Sequence, residues 1–292
     1  MNLDTRPIAS FDITNRCPQY CGHCYYRRDT PIAAELSDGD FLESVSQLQQ
    51  HYGIGSAFWV GGEPCLRPAL LRAAMALFSR NAIATSAMVP IPDDLDSGLL
   101  ISIDGFTEQH DALRGSGAFA RAIGNIRQLP RQSFALSTTL TRANATVIDD
   151  LPALVDFTGA IGVLVGFHVA SSASHLTLSG QERADLIKQL LALKVQHPDV
   201  LLNTSGALTR FYPTGSGQRS KEDLQCVYHD RAIAFDAALR PKAPCTFGTE
   251  ANCASCGCPV IMEHRERDEG NPSADGLLRA LFPKRRQVTT LN

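Results

Sequence analysis

Strand-like apolar runs alternate with amphipathic helical patterns along most of this chain, and that alternation limits its fold more than any other feature. Residues 8–13, 56–60, 82–89, 134–140 and 161–169 read as strands, and Ile101 and Ile103 belong to another. Between them lie helical stripes. Ser37 offers an N-cap ahead of Phe41, Leu42, Val45 and Leu48, and residues 68–78 carry Leu70, Leu71, Met75 and Phe78 at helical spacing. Residues 119–129 and 148–157 continue the pattern, and Ser179 caps a long helix running to Gln196 with Leu186, Leu190 and Leu193. A short strand is expected at 200–202. Strands alternating with helices imply parallel βα units joined by right-handed crossovers. Five or six such repeats predict an α/β chain, a partial (β/α)6 TIM-type barrel with a small Cys-rich C-terminal module. The polar, glycine-rich stretch at 214–220 marks a boundary. The core is then 1–213, the module 220–262, and a charged tail 263–292. Within that tail, 265–275 reads as loop and 277–282 as a short helix.

The chain of 292 residues can bury one sizeable core with room for an appendage. A net charge of -3 argues against a dominant nucleic-acid or anionic-membrane role. The basic triplet Lys284, Arg285 and Arg286 reads as a solvated tail. No apolar run reaches the ~18 residues of a membrane span. The most apolar stretch is broken by Gly162, Gly166 and His168. The N-terminus, MNLDTRPIAS, lacks the apolar centre of a signal peptide, so a cytoplasmic location is expected. Of nine cysteines, three stand near the start and five near the end, with Cys65 between them. Grouped cysteines in a reducing compartment point to metal rather than to disulfides.

The first group is Cys17-x3-Cys21-x2-Cys24. On spacing alone it could supply three ligands to a cubane cluster or to zinc. Downstream, Gly61-Gly62-Glu63-Pro64 follows one strand and Ser102-Ile103-Asp104-Gly105 ends another. All three motifs sit where strands deliver their C-terminal ends, the place where parallel α/β folds gather ligands. With these motifs in this order, the chain resembles the radical S-adenosylmethionine (SAM) superfamily over roughly residues 6–170. It looks closest to members with a C-terminal SPASM or twitch module.

That resemblance implies a [4Fe–4S] cluster on Cys17, Cys21 and Cys24, with one iron left open for SAM. It places the Gly61–Gly62 edge and the Glu63 carboxylate at the SAM amino group. Ser102 and Asp104 fall near the ribose, Thr139 near the carboxylate, and His23 in the neighbourhood of the adenine. Tyr20, Tyr25 and Tyr26 would pack around the cluster loop, and Cys65 reads as a small core residue. His168, at the end of a predicted strand, stands where a substrate-facing acid or base is expected. The second group, Cys226, Cys245, Cys253, Cys256 and Cys258, resembles the twitch arrangement around an auxiliary [4Fe–4S] cluster, and residues 232–239 ahead of Pro244 resemble its β-hairpin. One cluster takes four ligands, so Cys256 and Cys258 remain alternatives.

The implied activity is reductive cleavage of SAM to a 5′-deoxyadenosyl radical, which takes hydrogen from a small-molecule or peptide substrate. Dehydrogenation, adenosyl addition and peptide maturation are the possible outcomes. Flavodoxin or ferredoxin would be the reductant, and neither a nucleic-acid partner nor a membrane span is expected. The rival reading is a non-catalytic Fe–S or zinc protein serving as electron carrier or regulator. GGEP and SIDG argue against it, because a carrier has no use for a SAM pocket.

Overall fold

A computed structural model describes residues 7–26, 34–130, 133–169, 174–212, 226–228 and 231–285. The strands are β1 (Ile8–Asp12), β2 (Ser56–Val60), β3 (Arg80–Thr85), β4 (Gly98–Ser102), β5 (Ala135–Leu140), β6 (Val163–Phe167), β7 (Ala232–Phe235) and β8 (Pro241–Lys242). The helices are α1 (Asp38–Tyr52), α2 (Pro68–Met75), α3 (Thr107–Arg114), α4 (Ala118–Ile126), α5 (Leu151–Thr158), α6 (Gly180–Gln196), α7 (Ser205–Thr209), α8 (Pro259–Asp268) and α9 (Pro272–Leu281). The strands form one sheet in the order β6-β5-β4-β3-β2-β1-β7-β8. Every neighbouring pair is parallel except β7 and β8. This is the partial TIM-type architecture that the alternating pattern predicts.

Side chains alternate across each strand, so the sheet has two apolar faces. Phe11, Trp59, Ile83, Ile101, Leu136 and Val165 pack outward into the core formed with the helices. Phe11 stacks between Trp59 and Phe235 at 5.1 and 5.3 Å, across the β2–β1–β7 register. Ala82, Leu100, Ala135 and Leu164 point inward and meet Leu281 and Phe282, with Phe58, Leu277 and Val260 beside them. Helix α9 therefore plugs the concave side of the sheet.

That plug corrects the expected charged tail. Residues 265–275 lie in α8, α9 and the turn between them rather than in loop. Pro259 and Pro272 sit in first turns, where the missing N–H costs nothing. The charges of α8 that read as solvent-facing are matched inside. Glu263 accepts from the Thr204 backbone N–H and hydroxyl at 2.9 and 3.0 Å, and Glu266 pairs with Arg210 at 2.6 Å. A Cβ on Gly206 would lie 1.8 Å from the Glu266 carboxylate, so the glycine makes that docking possible. Lys284 and Arg285 are exposed, as expected of a solvated stretch, but their backbone is tied to β3 and its approach. Lys284 bridges to Arg80, and the Arg285 backbone N–H donates to the Ser79 carbonyl at 2.8 Å.

The expected hairpin at 232–239 is present as β7 and β8, but β7 pairs in parallel with β1. The C-terminal cysteines are thus carried on the main sheet. Residues 200–202 contribute a single bridge, Val163 to Leu201, rather than a strand. The boundary expected at 214–220 falls outside the described residues.

Candidate functional site

The cysteine loop leaves β1 and lies directly on the turn that follows β2. Gly62 N–H donates to the Thr14 carbonyl at 2.8 Å, and Glu63 N–H to the Arg16 carbonyl at 2.9 Å. A Cβ on Gly62 would stand 2.1 Å from the Arg16 carbonyl oxygen. Gly61 has φ 114°, and a Cβ there would be 2.6 Å from the Thr14 carbonyl oxygen. The pair of glycines is therefore a packing requirement between the first two motifs.

Above this contact is a cavity of about 270 Å³. Cys17, Cys21, Cys24, His23, Gly61, Gly62, Ser102, Thr139 and His168 all line it, so most of the residues singled out in the sequence converge here. Arg114 of α3 lines it too, and sequence reasoning missed both the helix and the cation. The available signal was the run Gln109-His110-Asp111-Ala112-Leu113-Arg114 just after SIDG. Phe58, Leu100, Leu164 and Val260 give the cavity an apolar floor.

Glu63 and Asp104 lie off the cavity wall and are fully buried. Glu63 Oε1 accepts from the Cys65 N–H at 3.1 Å and the Thr85 hydroxyl at 2.7 Å. Its Oε2 accepts from the Ser86 N–H at 2.8 Å and the Ser86 hydroxyl at 2.5 Å. A carboxylate has about four acceptor sites, and these bonds fill them. In this arrangement Glu63 holds the start of the segment after β3 against GGEP. Glu63→Gln should cost about 1–3 kcal/mol, because an amide NH2 must then face a donor. Urea unfolding of the protein without SAM checks this, since a residue acting only through the ligand would leave that midpoint unmoved.

Asp104 is likewise absorbed. Its Oδ2 takes Arg114 Nε at 2.6 Å and faces His23 Nε2 at 3.3 Å, and its Oδ1 takes the Thr139 N–H at 2.8 Å. Burial opposes its ionisation, but Arg114, His23 and these hydrogen bonds outweigh burial and hold the carboxyl below the usual range. Asp104 thus arranges three cavity residues from beneath, while Ser102 stays on the wall. Tyr25 and Tyr26 pack as expected, Tyr25 edge-on to Phe247 at 4.8 Å. Tyr20 does not, being 85% exposed.

The second cysteine group divides. Cys226, Cys245, Cys253 and Cys256 line a separate small cavity of about 20 Å³ with Val169, Pro244 and Ile261. Cys258 faces the larger cavity instead. The segment is pinned to the end of β6, where Phe167 N–H donates to the Gly257 carbonyl at 3.0 Å. A Cβ on Gly257 would lie 2.0 Å from the Phe167 carbonyl oxygen. Arg183 of α6 completes the anchorage, donating to the carbonyls of Phe211, Ser255 and Cys256 at 2.9, 2.8 and 2.5 Å. Its guanidinium lies 4.6 Å over the Phe167 ring.

Among the described residues no three of these side chains stand as a ready single-ion site. Burial pushes the Cys21, Cys245 and Cys256 thiols up to about 11, 11 and 12, and neighbouring thiols add to the effect. Buried sulfurs gathered this way are costly as bare thiolates, and coordination to iron removes that cost.

Residues 11–141 match the Radical SAM superfamily. The chain is 32% identical over 178 residues to mycofactocin maturase MftC of Mycobacterium ulcerans, which covers 54% of this chain and 46% of that protein. It is 27% identical over 159 residues to the sporulation killing factor maturation protein SkfB of Bacillus subtilis, covering 50% and 38%. The match therefore spans less than half the length of these curated relatives. The solved structure of anSMEcpe with bound AdoMet shares the fold with TM-score 0.65 at 14% identity, over 83% of this chain and 74% of that one. Streptococcus suis SuiB bound to precursor peptide SuiA shares it with TM-score 0.58 at 14% identity, over 80% and 58%. Residues 11–141, a little under half of the chain, are thus the part that is similar to the Radical SAM superfamily.

Proposed function

We propose that the chain is a radical SAM enzyme that modifies a peptide, with a SAM-binding [4Fe–4S] cluster on Cys17, Cys21 and Cys24 and an auxiliary one on Cys226, Cys245, Cys253 and Cys256. One observation carries the reading: the three N-terminal cysteines, the glycine edge of GGEP, the polar residues of β4 and β5, and His168 just after β6 line a single cavity. A reduced cluster bound there supplies the electron that splits SAM into methionine and a 5′-deoxyadenosyl radical, which takes hydrogen from the substrate.

The chain's own residues bind and orient. Gly61 and Gly62 present bare backbone, giving the methionine end of SAM close approach. Ser102 and Thr139 offer hydroxyls on adjacent strands for the ribose and the carboxylate. Arg114 is the wall cation that favours the carboxylate, held in place by Asp104. His23 borders the adenine side. His168 sits at the end of β6, its backbone N–H fixed on the Leu140 carbonyl at 2.9 Å, and serves as the substrate-facing acid or base. The apolar floor excludes water from the radical. Flavodoxin or ferredoxin is the reductant in the cytoplasm. Peptide maturation is favoured over the small-molecule outcomes by the two relatives whose names describe maturation.

Anaerobically reconstituted protein given SAM and dithionite should release 5′-deoxyadenosine and hold about eight irons, about four per cubane. Replacing Cys17, Cys21 and Cys24 together by Ala should abolish release and halve the iron. Release that persists without those three thiols would overturn the reading. Iron without any release would favour the electron carrier.

A further inference from the structure

Lys242 of β8 lies three residues before Cys245 and reaches back to the end of β1. Nζ lies 2.8 Å from Asp12 Oδ2. It also stands 5.7 and 5.4 Å from the ring centroids of Tyr25 and Tyr26, the residues that directly follow Cys24. On its other side the same charge favours the thiolate of Cys245, three residues along the chain. Tyr25 and Phe247 close the partition edge to face. The pair is largely out of water, with Lys242 13% and Asp12 1% exposed. Asp12 is buried between this ammonium and Tyr26, which also helps hold its carboxyl in the charged form. No binding or packing need described above uses this pair. An ion pair this deeply buried is costly to assemble unless its charges have a use.

Resting on the reading of two clusters above, we propose that the Asp12–Lys242 pair sets the reduction potentials of both Fe–S sites together, Lys242 raising them and Asp12 lowering them. Reduction adds one electron, and so one negative charge, to a cluster. A fixed cation near both loops stabilises that charge, and a fixed anion opposes it. In a site shielded from water the effect is weakly screened by salt. Each charge acts in one sense on both sites, so removing one member alone moves both potentials in the same direction.

The test is a redox titration followed by electron paramagnetic resonance on the cluster-loaded enzyme. It is run well above the Asp12 pKa, which burial pushes up to about 6 against the pull of Lys242. Lys242→Met should move both potentials to more negative values, and Asp12→Asn should move both to more positive ones. The double variant should fall between them. A pair with a merely structural role would alter iron content or spectral shape but would not give opposite signs. Unmoved potentials in loaded variants, a shift at one site alone, or shifts of the same sign overturn the proposal. If Lys242→Met fails to load, the sign from the isosteric Asp12→Asn decides. If neither loads, the pair is a clamp and the proposal falls. Wild-type protein that cannot hold two clusters would instead sink the functional reading beneath it.

Discussion

Gly62→Ala is expected to lower SAM cleavage by more than about a hundredfold, the loss that a misplacement of ~1 Å can bring. The added Cβ would sit 2.1 Å from the Arg16 carbonyl oxygen and 2.6 Å from its carbon, both backbone atoms. Neither can swing aside like a flexible side chain. The cysteine loop must lift off the turn, breaking the hydrogen bonds from Gly62 to Thr14 and from Glu63 to Arg16. Cys17 follows Arg16 directly, so the displacement passes straight to a cluster ligand. Iron retention at the first site should fall along with 5′-deoxyadenosine release. Gly124→Ala is the control. It makes the same chemical change inside α4 with nothing within 4 Å of the new carbon. It should keep full activity and gain about 0.5–1 kcal/mol of stability from helix propensity. Normal cleavage by Gly62→Ala would show that the loop does not need this contact.

Arg183→Leu is expected to separate the two sites in the opposite way. Removing the guanidinium strands the carbonyls of Phe211, Ser255 and Cys256, each costing about 1–3 kcal/mol where water cannot replace the bond. Leu also loses the cation–π contact with Phe167. The loop bearing Cys253 and Cys256 should loosen, so the auxiliary iron should be lost first under a chelator. The N-terminal cluster loop is anchored elsewhere, and SAM cleavage without substrate should persist. Iron counts and 5′-deoxyadenosine release from one preparation decide it. Equal loss at both sites would mean that Arg183 supports the whole fold rather than this loop.

What the sequence disclosed, and what it hid, follows from how local each signal is. The long helix α6 was legible because its cap is contained within four residues. The Ser179 hydroxyl accepts from Glu182 N–H at 3.2 Å, and the Glu182 carboxylate returns to Ser179 N–H at 2.6 Å. Strand order was legible from alternation. Helix α3 was not, since only His110 and Leu113 are buried and no stripe marks it. Helix α8 was misread because Glu263, His264 and Glu266 look like solvent residues, while the partners of the two glutamates, Thr204 and Arg210, lie more than fifty positions upstream. The site shows the same division. The cysteines and glycines that line the cavity are contiguous motifs, and they were found. Whether a carboxylate faces a ligand or a neighbour depends on distant donors. The donors that hold Glu63, Thr85 and Ser86, could not be read from GGEP, and Arg114 and Arg183 went unnoticed.

The plug formed by α9 also bears on how the chain is made. The inward residues Ala82, Leu100, Ala135 and Leu164 are all synthesised well before Leu281 and Phe282, which cover them. During synthesis the sheet must therefore wait, its inward apolar surface uncovered, until α9 leaves the ribosome. Exposed apolar surface on a parallel sheet is the state in which nascent chains aggregate. A chaperone that holds this surface, and iron delivery timed after release from the ribosome, would both follow from where one short helix falls in the gene.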